Sequence, residues 1–146
     1  MEGRVVAPNN GNTCTLQAPS GNYTVGPNAV PLFQPSMADD ISSAFSVLNS
    51  QGIVPMITSG FRTAAGQAAQ QGSPYGAAQV SWHQAGMAVD INSMVPNFQT
   101  IVTAMTGSGL TWGGTFSHPD LVHFQNAAKG TTPSAAQVAA CASTHP

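Results

Sequence analysis

Hydrophobic residues along this chain switch between two periods, and the switches mark out its elements. Ile41, Phe45 and Leu48 recur at helical spacing, which predicts a helix from about Ser36 to Gly52. Ser36 is placed to cap it, Asp39 and Asp40 suit its positive end, and Gly52 ends it. Ile53–Ile57 is a short apolar, partly β-branched run, read as a buried strand. An Ala/Gln-rich helix follows Thr63 to about Gln70, and residues 71–81 read as a loop. From Met87 to Asn92 the period becomes two, with Met87, Val89 and Ile91 on one face and Ala88, Asp90 and Asn92 on the other. Pro96 can open another helix carrying Phe98, Ile101, Val102 and Met105 inward, until Gly107 and Gly109 stop it. Leu121–Gln125 alternates again, setting Val122 and Phe124 against His123 and Gln125. A last helix is predicted over Ser134–Ala140. Helices mixed with short strands give an α+β domain.

The 146 residues suit one domain. We divide it into an irregular Pro/Asn/Gly-rich segment (1–35), a core (36–126) and a C-terminal tail with a helix (127–146). A monomer is expected. The leading Met-Glu-Gly-Arg reads as a processing remnant outside the fold.

Charge is scarce: three Lys or Arg and five Asp or Glu make up 5% of the chain, against a typical value of about 25%. A formal net charge of −2 provides no basic patch for nucleic acid. No apolar run approaches the roughly 20 residues that span a bilayer, and no basic amphipathic stretch suggests attachment to one. In so uncharged a chain, Arg62, Asp90 and Asp120 stand out as retained for chemistry. Cys14 and Cys141, one near each end, fit no CxxC motif. A disulfide stapling the ends is one reading and two buried thiols the other; a bridge would imply an oxidising compartment. Export would mean that a signal peptide had been removed.

The alternation has a chemical consequence. If the two period-two strands pair with their Val/Ile/Phe faces on the core, Asp90 and His123 emerge together. His83 can curl over that face through a short turn at Gly86. Two imidazoles and a carboxylate suit one Zn²⁺, with a fourth position left for water. Such an ion lowers the pKa of its water towards about 7 and polarises a scissile carbonyl. Asp120, in a turn made reasonable by Pro119, is the nearby acidic group that could act as general base. A non-haem iron centre also uses two His and one carboxylate, but the seven-residue separation of His83 and Asp90 suits it poorly. A zinc module without catalysis would have no need of Asp120 or Arg62. Trp82 and Trp112 could line a cleft or fill the core, and Tyr75 lies in the loop before Ser81.

Three segments resemble one family. Ser81-Trp82-His83-Gln84-Ala85-Gly86-Met87-Ala88-Val89-Asp90 is similar to the SxHxxGxAxD signature of zinc D-Ala-D-Ala carboxypeptidases and L-alanyl-D-glutamate endopeptidases, a group that includes vancomycin-resistance D,D-carboxypeptidases and phage endolysins. Ser59-Gly60-Phe61-Arg62-Thr63 resembles their SG(Y/F)R(S/T) segment. Trp112-Gly113-Gly114, followed by Asp120-Leu121-Val122-His123-Phe124-Gln125, resembles their WGG…DxxHFQ ending. The resemblance covers about residues 55–126.

It implies a small antiparallel sheet carrying the zinc site and flanked by helices, as in hedgehog and D,D-peptidase domains. It also implies a secreted, extracellular or periplasmic hydrolase of peptidoglycan stem peptides. His83, Asp90 and His123 would hold zinc, and Asp120 would activate the bound water. Arg62 would bind a substrate carboxylate or the developing oxyanion, Ser81 the substrate backbone, and Gln67 would help shape the site. Thr115 departs from the acidic residue many relatives carry after WGG, and His118 is a rival ligand or proton donor.

Overall fold

A computed structural model describes residues 14–63 and 81–144. The helix expected after Thr63 to about Gln70, with Gln67, and nearly all of the loop expected at 71–81, with Tyr75, lie outside those residues. The α+β class is observed: short strands build a five-stranded sheet and the described helices pack around it. The N-terminal segment contributes strand β1 (Thr24–Val25) and a bridge between Gln17 and Phe33.

Helix α1 spans Pro35–Ser50 and buries Met37, Ala38, Ile41, Ala44, Phe45 and Leu48 along one stripe. Its start differs from the expectation. Pro35 takes the first helical position, where a missing N–H costs nothing, so Gln34 becomes the cap residue and makes no side-chain capping bond. Ser36 Oγ is buried without a partner, and Asp39 and Asp40 lie beyond the first turn. Asp40 instead accepts a hydrogen bond from Asn126 Nδ2, just after the last strand.

Strand β2 is Met56–Ser59, not 53–57. Pro55 interrupts the apolar run and cannot donate to a ladder, so pairing starts after it. Val54 is 54% exposed, so this run is not a buried strand throughout. Strand β3 is Ala88–Ile91; helix α2 is Phe98–Gly107, opening two residues after Pro96. Strands β4 (Thr111–Trp112) and β5 (His123–Gln125) follow, and helix α3 is Ala135–Thr144. Ser134 caps α3: its Oγ accepts from Gln137 N (3.1 Å), and Gln137 Oε1 accepts from Ser134 N (2.8 Å).

The sheet order is β1-β2-β3-β5-β4. All pairs are antiparallel except β1–β2, which is parallel because α1 forms the crossover between them. One face packs Ile57, Val89, Ile91 and Phe124 onto α1 and α2, forming the main core. The other face carries Ser59, Asp90 and His123 in one row, since Ser59 opposes Asp90 and Asp90 opposes His123. The inference from alternation therefore holds.

The tail joins the fold. α3 lies against the 3-10 turn that carries His83, and Cys141 is bridged to Cys14. The bridge packs with Phe61, Leu16 and Ala140. Closing a loop of 127 residues stabilises by about 5 kcal/mol in the chain-entropy account.

Candidate metal centre

His83 sits in a 3-10 turn, Trp82–Ala85, that the sequence makes locally. Ser81 Oγ accepts from His83 N (3.1 Å), Gln84 Oε1 accepts from Ser81 N (3.0 Å), and Gly86 closes the turn in the left-handed region. The imidazole is 2% exposed, and its Nδ1–H donates to the Gly60 carbonyl at 2.8 Å. That leaves the Nε2 lone pair facing the sheet. Only glycine fits at position 60, because a Cβ there would lie 2.1 Å from the Val30 carbonyl oxygen.

Asp90 comes from the middle of β3. Its Oδ1 lies 3.2 Å from His83 Nε2 and 3.4 Å from His123 Nδ1. Its Oδ2 accepts from Arg62 Nη2 at 3.1 Å. Arg62 is braced in turn, with Nε donating to Ser59 Oγ (3.0 Å) and its backbone N–H to the His83 carbonyl (3.2 Å). Arg62 therefore aims a carboxylate, a task the motif did not announce. His123, on β5, donates Nε2–H to Gln125 Oε1 at 2.7 Å and turns Nδ1 towards Asp90. Its ring meets that of His83 edge to face, with centroids 5.2 Å apart.

The charges are consistent with a cation-binding cluster. Burial pushes the Asp90 carboxyl up, but His83 and His123 together overcome this and hold it well below the usual carboxylate range. Burial lowers the pKa of His83. For His123 burial acts the same way, yet its bond to Asp90 prevails and the pKa is raised. Burial lowers Arg62, against the pull of Asp90 and Asp120.

The ligand atoms of His83, Asp90 and His123 all lie within 4.8 Å of one another. With ligand bonds of about 2.0–2.1 Å, the edge of a tetrahedral zinc site is about 3.3–3.4 Å. The two Asp90 distances, 3.2 and 3.4 Å, match that edge. Every atom turned away from the cluster is also engaged: Nδ1 by Gly60, Oδ2 by Arg62, Nε2 by Gln125. The donor set fits a divalent ion.

Asp120 lies in the turn before β5, as expected. Its backbone N–H bonds to Gly113 O (2.9 Å), and its carbonyl accepts from His123 N (3.2 Å). A Cβ on Gly113 would come within 2.4 Å of the Asp120 carbonyl oxygen, so the WGG glycine permits this approach. The carboxyl keeps solvent access, yet neighbouring atoms desolvate it enough to raise its pKa, and the charge of Asp90 adds to the rise. His123, His83 and Arg62 pull it the other way, which places Asp120 within electrostatic reach of the cluster.

Both tryptophans pack on the core and act as anchors: Trp82 Nε1 donates to Thr131 O (2.9 Å) and Trp112 Nε1 to Leu121 O (2.8 Å). His118 is exposed and outside the ligand cluster. Sequence reasoning missed two parts. Gln125 was legible as sharing the His123 face, whereas the Gly60 carbonyl had no side-chain signal.

Residues 75–126 match the sequence model of the D-alanyl-D-alanine carboxypeptidase family. The fold matches the crystal structure of the L-Ala D-Glu endopeptidase ChiX of Serratia marcescens, with a TM-score of 0.54 and 20% identity over 64% of this chain and 79% of that one. No curated protein sequence matches the chain. The family match spans about a third of the chain, and the likeness to the endopeptidase is one of fold.

Proposed function

We propose that this protein is a zinc peptidase that hydrolyses stem peptides of bacterial peptidoglycan, at a D-Ala-D-Ala or an L-Ala-D-Glu bond. The observation that carries the reading is the convergence of His83 Nε2, Asp90 Oδ1 and His123 Nδ1 with every outward-facing atom already bonded. The family match and the fold shared with an endopeptidase support the substrate class.

His83, Asp90 and His123 would hold the ion. When bound, it supplies Lewis-acid activation of water and of the scissile carbonyl. Asp120 takes the proton from the attacking water and returns it to the leaving amine; in the metal-free protein burial and the charge of Asp90 raise its pKa. Arg62 holds Asp90, and its charge, felt at Asp120 as well, opposes negative charge developing on the substrate. Ser81 Oγ is the acceptor for His83 N, so its O–H is the part offered to a substrate carbonyl. Gln67 enters on the resemblance alone.

The Cys14–Cys141 bridge supports an oxidising compartment, extracellular or periplasmic. Among the described residues no helix is long and apolar enough to cross a membrane. The test is to incubate the protein with purified cell wall, with and without a chelator, and identify new termini by mass spectrometry. Free D-Ala, or new D-Glu amino termini, that disappear with the chelator are expected. Unchanged wall, or cleavage indifferent to the chelator, sinks the proposal.

A further inference from the structure

The two histidines of the cluster offer opposite nitrogens, and only one is held by a side chain. His83 is fixed by a backbone carbonyl and presents Nε2. His123 presents Nδ1, and what holds its Nε2 is the Gln125 amide.

The orientation of that amide follows from its other partners. Gln125 Nε2 lies 3.1 Å from the Ala128 carbonyl and 3.3 Å from the Ala127 carbonyl. Both are acceptors, so the NH₂ end must face them; a flipped amide would set three oxygens against one another. Oε1 therefore faces His123 and must receive a hydrogen. A neutral imidazole carries one N–H, so placing it on Nε2 leaves the Nδ1 lone pair towards Asp90.

The carbonyls that orient the amide are themselves tethered. Ala128 O also accepts from Thr131 Oγ1 at 2.6 Å, and Thr131 O accepts the Trp82 indole N–H at 2.9 Å. Trp82 adjoins His83, so the segment after β5 returns to the turn that carries the other histidine. Gln125 is itself 3% exposed, a depth at which an amide needs its bonds satisfied.

We propose that Gln125 is a positioning residue that sets the tautomer of His123, with Nδ1 turned to the ligand cluster, and so raises the affinity of that cluster for a divalent cation. The affinity part rests on the zinc reading above. The tautomer part does not.

Two substitutions separate the acceptor from the volume. Q125M keeps the length of the side chain and loses the amide; Q125E keeps an oxygen for His123. The first readout is the long-range ¹⁵N–¹H spectrum of the imidazoles in metal-free protein at about pH 9, where histidine is neutral. In the parent and in Q125E, His123 should be protonated at Nε2, and Q125M should show a mixture of tautomers. His83 should stay protonated at Nδ1 throughout. The second readout is zinc affinity by competition with a chromophoric chelator, where Q125M should bind about 10–100-fold more weakly than the parent.

Parental His123 protonated at Nδ1 overturns the inference, and so does Q125M with the parental tautomer and zinc affinity. If Q125M does not fold, the parent alone decides: a proton on Nε2 of His123 upholds the inference and a proton on Nδ1 overturns it. A parent with the expected tautomer but no zinc binding would sink the zinc reading and the affinity part, leaving the tautomer assignment standing.

Discussion

The middle of the sheet and its β1–β2 end are built on opposite plans. At the middle, three titratable side chains come within 4.8 Å of one another, and each is aimed by a further hydrogen bond. At the β1–β2 end, where α2 begins, lies a cleft of about 390 Å³ whose walls include Thr24, Ile53, Met56, Asn92, Val95 and Asn97. Among the described residues, no Asp, Glu, His, Lys or Arg lines that cleft. Among the described residues, this cleft and the titratable cluster are built from different side chains.

The comparison can be broken most directly at the ligands. His83→Ala or Asp90→Ala should remove stoichiometric zinc and lower wall hydrolysis by more than about 10³-fold; elemental analysis beside the wall assay reads both. Asp120→Asn should keep the metal and lose about 10²–10⁴-fold in turnover. Asp120 must be ionised to accept a proton, and burial and Asp90 raise its pKa in the metal-free protein, so kcat/KM should show an acid limb set by Asp120. Activity then falls as pH drops through the pKa of that carboxyl, and Asn should abolish the limb.

Gly113→Ala puts a Cβ 2.4 Å from the Asp120 carbonyl oxygen, so the turn before β5 must move. We expect a loss of about 1–3 kcal/mol by denaturant titration, with turnover falling further than stability alone explains. At the other end, Val54→Thr changes a side chain that is 54% exposed. It should leave zinc content and turnover unchanged, with stability within about 0.5 kcal/mol of the parent. A large loss of activity there would erase the distinction between the two ends.

The parts of this design that are local in sequence could be read from it. Alternation at Met87–Asn92 and Leu121–Gln125 put Asp90 and His123 on one face, and the ladder pairs them directly. Helical spacing placed Ile41, Phe45, Leu48, Ile101 and Met105 in the core, where they are buried. What escaped was long in range or carried by backbone. Arg62 reaches Asp90 across 28 residues, and Asp40 reaches Asn126 across 86, neither separation leaving a periodic trace. The Gly60 carbonyl that holds His83 looks like any other peptide unit. The parallel β1–β2 pairing depended on where α1 delivers the chain, and the α1 boundary turned on Pro35 opening the helix, which makes Gln34 rather than Ser36 the cap.

The Cys14–Cys141 bond has one more consequence. Between those residues the chain is a covalent ring, so a single nick anywhere in it opens the ring without releasing a fragment. Both lengths of chain stay attached, and the strands that bear Asp90 and His123 cannot drift apart by diffusion. One accidental cut in that ring would thus stay a local wound.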